Sequence, residues 1–349
     1  MNTKPNLRNY TEQELISILE SLGEKAFRGK QIFKWLHKGA EDFSEMTDIS
    51  QSLKEKLSDS YRIDNLKIEK KLVSQIDGTI KYLFRLYDGS FIESVIMKYK
   101  HGNTICVSSQ VGCNMGCKFC ASAIGGKLRN LEAGEITDQI LKAQKDSGLK
   151  ISNIVMMGIG EPFDNFDNVV SFLKNANHEN GLFISARHIT VSTCGIVDKI
   201  TELAEIGLPV TLSISLHSPI NEKRSEIMPV NKKYPIEKLL SAAKNYIKKT
   251  GRRVSIEYAL IDGETDNLDY AKKLVSLLGD DLFHVNLIPV NKVTERSYKK
   301  SSLKQTKLFM DYLNNNGLTA TLRREMGSDI NAACGQLRKQ TMEKRGDNL

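Results

Sequence analysis

From about residue 103 the chain repeats one alternation: a short run rich in β-branched and apolar residues, then a stretch with helical spacing. The runs are TICVSSQV, SNIVMMG, HITVST, PVTLSISLH, RVSIEYAL and LFHVNLIP. Between the first two, AGEITDQILKAQKDSG places Ile136, Ile140 and Ala143 on one side of a helix. Near-continuously apolar strands separated by helices predict a parallel sheet wrapped by helices, an α/β fold. Six such units in ~200 residues fall short of the eight units and roughly 250 residues of a closed barrel. A partial (β/α)6 TIM-like barrel over residues 100–300 is expected, with a flat doubly wound sheet as the alternative. In either, functional residues gather where strands end and loops begin.

The flanks read differently. Residues 1–62 are expected to be a helical accessory domain. Thr11 and Glu14 fit a capping box, and Leu15, Ile18, Leu19 and Leu22 follow with helical spacing. A second helix, KAFRGKQIFKWLHKG, puts Lys30, Lys34 and Lys38 on one face, with His37 nearby and Phe27, Ile32, Trp35 and Leu36 as apolar bulk. That face is either a solvated one or one that meets phosphates. Residues 63–99 carry a β-hairpin signature, with Asp77-Gly78 and Asp88-Gly89 as punctuation. In SFIESVIMKY, Glu93 shares a strand face with Phe91, Val95 and Met97, which is costly without a partner; pattern alone favours a surface edge. Residues 301–349 form a C-terminal extension with one more helix, the strand LTATLRR and Cys334.

Composition narrows the function classes. A formal charge of +8 is compatible with a polyanionic partner. The start of the chain has no apolar run of the kind a signal peptide needs, and nothing approaches a membrane span, so a cytoplasmic location is expected. In that setting the six cysteines are better read as metal-binding or catalytic than as a disulfide framework.

The densest chemistry is CNMGCKFC, residues 113–120, just after the first barrel-like strand. Structural zinc sites usually take four protein ligands, commonly in paired units. Here only Cys113, Cys117 and Cys120 are close. A 4Fe–4S cubane held by three thiolates instead leaves its fourth iron open to a small molecule. The spacing, with Phe119 before the last cysteine, resembles the signature of the radical S-adenosylmethionine (SAM) superfamily. CVSSQVGCNMGCKFC, MGIGEPFDN, HITVSTCGI, LSISLHSP, NLIPVN and GSDINAACGQL, in that order, look like the RlmN family of dual-specificity adenine C2 methyltransferases.

That resemblance implies a radical SAM barrel with a [4Fe-4S] cluster on Cys113, Cys117 and Cys120, and SAM as cofactor. The substrates it implies are adenosine 2503 of 23S rRNA and adenosine 37 of tRNA, in customary numbering. C2 of adenine is electron-poor and cannot attack a sulfonium methyl, so a carbon radical is needed. In the family one SAM methylates a cysteine, matched by Cys334, and a second yields the radical that activates the S-methyl group. A second thiol, matched by Cys106, releases the product through a transient disulfide bond. Glu93 matches the acceptor of the C2 proton. Gly160, Glu161, Ser192, Ser215, Leu216, His217 and Asn291 match the SAM-binding positions, the Glu161 carboxylate lying near the ammonium. Arg323 and Arg324 are candidates to favour a Cys334 thiolate, or else surface charge or phosphate contacts; Cys194 is assigned no role. Partners expected are the two RNAs and an electron donor such as flavodoxin or ferredoxin, with no membrane and a monomeric chain. Two alternatives stand: the sister family that methylates C8 of the same rRNA adenosine, and a non-catalytic, zinc-stabilised RNA-binding module.

Overall fold

Residues 4–279, 281–291 and 297–337 are described in a computed structural model of the chain. The expected C-terminal extension therefore lies partly outside the described residues, from 338 onward.

The N-terminal helices are α1 (Glu12–Ser21), α2 (Ala26–His37) and α3 (Gln51–Ser60). The capping box forms at α1: the Glu14 N–H donates to the Thr11 hydroxyl and the Thr11 N–H donates to the Glu14 carboxylate. Leu15, Leu19, Ile32, Phe33, Leu36, Leu53 and Leu57 build a core separate from that of the sheet. At Gly29 a Cβ would lie 2.6 Å from the Ile16 Cα, so only glycine lets α1 and α2 cross this closely. Lys30, Lys34 and Lys38 are all exposed. Two expectations for this helix change. Phe27 is 46% exposed, with the Arg28 guanidinium 4.9 Å from its ring centroid, so it adds nothing to the core. His37 is buried with Nδ1 2.9 Å from the Phe33 carbonyl, and burial pushes its pKa down to about 3, so it adds no charge to the lysine face.

The rest is organised by one ten-stranded sheet. β1 (Lys67–Val73), β2 (Ile80–Arg85) and β3 (Phe91–Tyr99) are antiparallel, and β4 (Gly102–Cys106) pairs with β3 on one side. A two-stranded ribbon, β5 (Gln110–Val111) with β6 (Arg129–Asn130), brackets the cysteine loop. The alternation then runs α4 (Ala133–Ser147), β7 (Ile151–Met156), α5 (Phe166–Asn177), β8 (Ile189–Thr193), α6 (Val197–Ile206) and β9 (Thr211–Ser215). It continues through α7 (Asn221–Ile227), α8 (Ile236–Thr250), β10 (Val254–Leu260), α9 (Leu268–Leu278), β11 (Phe283–Pro289), α10 (Leu303–Asn315) and β12 (Ala320–Leu322). The strands order as β1-β2-β3-β4-β7-β8-β9-β10-β11-β12, parallel from β4 onward, with β1 and β12 at opposite ends. This is a partial barrel: the parallel run is open, and the main core fills the space between it and the helices.

Position 300, where the C-terminal extension is expected to begin, falls between β11 and α10; α10 packs into the main core and β12 adds another parallel strand beside β11. Within 63–99, β1, β2 and β3 belong to the same sheet as the parallel strands, which makes β3 an interior strand. Glu93 is accordingly 1% exposed, not at a surface edge as its pattern alone suggested. No helix among the described residues is long and apolar enough to cross a membrane.

Candidate active site

The loops at the C-terminal ends of the parallel strands surround an open cleft of about 980 Å³. Cys113, Cys117 and Cys120 enter it from the loop after β5. Gly160 and Glu161 follow β7, Ser192 belongs to β8, Ser215 ends β9, His217 lies just beyond, and Asn291 follows β11; all line the cleft, as does Cys334. The fold thus gathers residues spread over more than two hundred positions. Leu216 does not line it. Its side chain is in the core, its N–H donates to the Glu257 carbonyl (3.1 Å) and its carbonyl accepts from Arg224 Nε (3.1 Å).

Local geometry explains several of these residue choices. Gly160 has φ +113°, and a Cβ there would sit 2.7 Å from Gln110 and Ser109, so the loop approaches the segment leading into the cysteine loop only as glycine. The buried Glu161 carboxylate accepts N–H bonds from Phe163 (3.0 Å) and Cys194 (2.7 Å), while burial raises its pKa. His217 holds φ +55°, a conformation that costs of order 1–3 kcal/mol in a non-glycine residue. Its Nδ1 accepts from the Ala259 N–H (2.9 Å), its ring meets Phe119 edge-on at 4.7 Å, and burial pushes its pKa down to about 3. It is a neutral, fixed imidazole that props the cysteine loop.

A second, smaller cavity lies beside the first, lined by Cys106, Val95, Met97, Met157, Arg324 and Met326. Cys334, Arg323 and Asn291 belong to both cavities. Cys334 therefore stands in the wall between the three-cysteine cleft and the Cys106 chamber. It is held there from several directions: Asn291 Nδ2 donates to the Cys334 carbonyl (2.9 Å), the Ala121 N–H to the Gly335 carbonyl (2.8 Å) and Ser122 Oγ to the Leu337 carbonyl (2.7 Å). The Cys106 thiol is pushed up to about 12, first by burial and then by the nearby Cys334. All six cysteines are free thiols. Glu93 lines neither cavity; its Oε1 lies 3.0 Å from Lys81 Nζ, and Ser108 Oγ donates to its carbonyl (2.6 Å).

Of the two candidate arginines, Arg323 turns toward the thiols. Cys334 is the leading cause of its raised pKa, and its Nη1 lies 3.7 Å from Glu257. Arg324 is exposed. Two residues of this site escaped the sequence reading. Arg224, fully buried, donates to the carbonyls of Cys194 (2.7 Å), Ser215 (3.1 Å) and Leu216 (3.1 Å), tying the ends of β8 and β9 together. Glu257 accepts from Ser213 (2.7 Å) and Asn286 (2.8 Å) across three strands. A glutamate in the apolar run RVSIEYAL was the available signal for the second; Arg224, in NEKRSEI, gave none.

The donor set suits an iron–sulfur cubane. Cys113 is pushed up to about 12 and Cys117 well above its ordinary value, by burial first, with the neighbouring thiols adding to it. Desolvated thiols facing one cleft keep their protons unless a cationic group takes their place. Cys113, Cys117 and Cys120 line one cleft, which matches the three-thiolate ligation of a cubane.

Comparisons with known proteins agree. The Radical SAM superfamily matches residues 107–278, and the Ribosomal RNA large subunit methyltransferase N-terminal domain matches residues 5–63. The probable dual-specificity RNA methyltransferase RlmN of Alkaliphilus oremlandii is 54% identical over 340 residues, 97% of this chain and 99% of its own length. The chain belongs to the RlmN family. The Clostridium novyi RlmN relative is 52% identical over 96% of this chain and 98% of its own. A crystal structure of a radical SAM methyltransferase from Sphaerobacter thermophilus superposes with a TM-score of 0.90 at 40% identity, covering 95% of this chain and 99% of that one. RlmN membership in turn implies a [4Fe-4S] cluster and SAM as the groups the cleft takes.

Proposed function

We propose that this chain is a SAM-dependent RNA methyltransferase that methylates C2 of adenosine in 23S rRNA, at 2503, and in tRNA, at 37. One observation carries the reading: Cys334 lines both the three-cysteine cleft and the chamber of Cys106. A residue that must take up a one-carbon unit at one place and be attacked by a second thiol at another has to border both. When bound to Cys113, Cys117 and Cys120, the cluster with its SAM supplies the methyl group and the hydrogen-abstracting radical. Gly160, Glu161, Ser192, Ser215, His217 and Asn291 form the wall against which SAM sits, and Leu216 fixes the main chain between Ser215 and His217.

Cys334 carries the carbon to the purine, with the Arg323 guanidinium beside it. Glu93 takes the proton displaced from C2. Once the adduct has returned its unpaired electron to the bound cluster, Cys106, as thiolate, attacks the Cys334 sulfur: the S–S bond forms as the S–C bond breaks, the released CH2 carbon takes a proton to become the C2 methyl group, and the Cys106–Cys334 disulfide is reduced by two electrons before the next cycle. An electron donor of the flavodoxin or ferredoxin type would serve the cluster. Mass mapping of adenosine 2503 from cells carrying this chain as their sole such enzyme tests the reading. A C2-methyl product is expected; a C8-methyl product assigns the chain to the sister chemistry.

The RNA is held in part by α2. Its lysine face is unobstructed, and phosphate contacts of this kind add affinity without sequence. Lys30→Glu together with Lys34→Glu is expected to weaken RNA binding roughly tenfold or more and to flatten its salt dependence by about two contacts, with SAM cleavage unchanged. Titration of labelled RNA at two salt concentrations measures both; wild-type affinity would remove α2 from the interface.

A further inference from the structure

The carboxylate assigned to the C2 proton is paired with a buried lysine. Lys81 on β2 stands opposite Val95 on β3, and Glu93 is the diagonal neighbour on the same face. The Lys81 ammonium lies 3.0 Å from Glu93 Oε1, with side-chain exposures of 10% and 1%. The same nitrogen donates to the Asn331 carbonyl at 2.9 Å. Asn331 is three residues before Cys334 and sits in the left-handed region, at φ +50°. The β1–β2 turn grips the same segment at two more points: the Gly327 N–H donates to Asp77 Oδ2 (2.9 Å) and the Gln75 N–H to Asp329 Oδ2 (2.9 Å).

We propose that Lys81 is a positioning residue of the methyl-transfer site: one ammonium ties the Glu93 carboxylate to the main chain of the segment that presents Cys334. This rests on the reading of Glu93 as the acceptor of the C2 proton. A lysine is seldom buried unless paired, and a buried pair is poor value as a stability device. What the pair does supply is geometry. Proton acceptor and carbon donor must meet the same purine, yet they are carried by segments more than two hundred residues apart. An ammonium has three donors in a compact head, so it can hold a carboxylate and a carbonyl at once.

The test is RNA methylation by the cluster-loaded enzyme, read as kcat and as KM for RNA. In Lys81→Gln, kcat is expected to fall roughly tenfold with KM little changed. Lys81→Arg, which keeps a cationic donor to both partners, returns most of the loss. Lys81→Gln added to Glu93→Gln costs nothing further, because the two act as one unit. Iron content and SAM binding stay at the wild-type level in each, which separates the effect from misfolding; Lys81→Met, of similar bulk without charge, is read in the same way should the glutamine variant not fold. Wild-type kcat in the uncharged variants, or losses that add to those of Glu93→Gln, overturns the proposal while leaving Glu93 as the base. Wild-type turnover by Glu93→Gln overturns the proton-acceptor reading and the proposal with it.

Discussion

Cys106→Ala, expressed in cells, is expected to yield protein with RNA covalently attached through Cys334. The reason is where the two thiols sit. Cys334 reaches the cleft without leaving the Cys106 chamber, so the carbon can be delivered to the base by a variant that lacks only the attacking sulfur. Alanine at 106 removes that sulfur from a fully buried position flanked by Val95, Ile159 and Met326, and the shape change is small. Methyl uptake and attack on the base proceed; release does not. Turnover should fall on the order of 10³-fold or more, as for removal of a residue that closes a covalent cycle. Nuclease digestion and mass analysis should find a nucleotide fragment on the peptide that contains Cys334. The burial of Cys106 sharpens the expectation for the wild type. Burial alone holds this thiol above its ordinary range, so breakdown of the adduct should accelerate with rising pH, about tenfold per unit while thiolate supply limits it. RNA-free Cys106→Ala with full methylating activity would remove Cys106 from the reaction.

How much of this was legible in the sequence depended on whether the determinant was local. The strand–helix alternation announced the parallel sheet because each apolar run reports its own burial. The Thr11–Glu14 capping box was readable because its partners are three residues apart. The Cys-x3-Cys-x2-Cys loop carried its chemistry in its spacing. What periodicity could not convey is pairing between distant segments. Glu93 looked like an edge residue because nothing near it in sequence reveals that β1 and β2 continue the sheet, or that Lys81 meets it there. Phe27 fitted a helical stripe, yet it lies where α2 begins, half-exposed, with the Arg28 guanidinium over its ring in place of an apolar neighbour. Arg224 gave no sign, since a lone arginine in a short polar helix looks solvated until its guanidinium is seen collecting carbonyls from two strand ends. The role proposed for Cys334 came from resemblance alone; the packing shows only that a thiol so late in the chain borders both cavities.

The same contrast, a local motif read against a long-range assembly, governs what happens when the cluster loop is altered. Cys117→Ala, purified without oxygen, is expected to lose its iron and sulfide and with them all SAM cleavage. Cys117 packs with Met115, Phe119, Cys194, Ile227 and Met228, and alanine changes that packing by little more than a sulfur atom, so the barrel should stay folded. The effect then isolates ligation. Cys194 is the one further thiol in this cluster of side chains, yet it cannot stand in: it interacts with the Glu161 carboxylate, which also binds its N–H, and Arg224 holds its carbonyl. Cys194→Ser, made in parallel, should therefore keep its iron and its SAM cleavage. Iron and sulfide assays, the visible absorption of the cluster, and the release of 5′-deoxyadenosine separate the two variants. A Cys117→Ala protein that stays brown and cleaves SAM would show that the loop does not hold the cluster. A colourless wild-type protein that retains zinc after anaerobic purification would show the cleft to be a structural metal site, and every step assigned to Cys334, Cys106 and Glu93 would lose its source of radical chemistry.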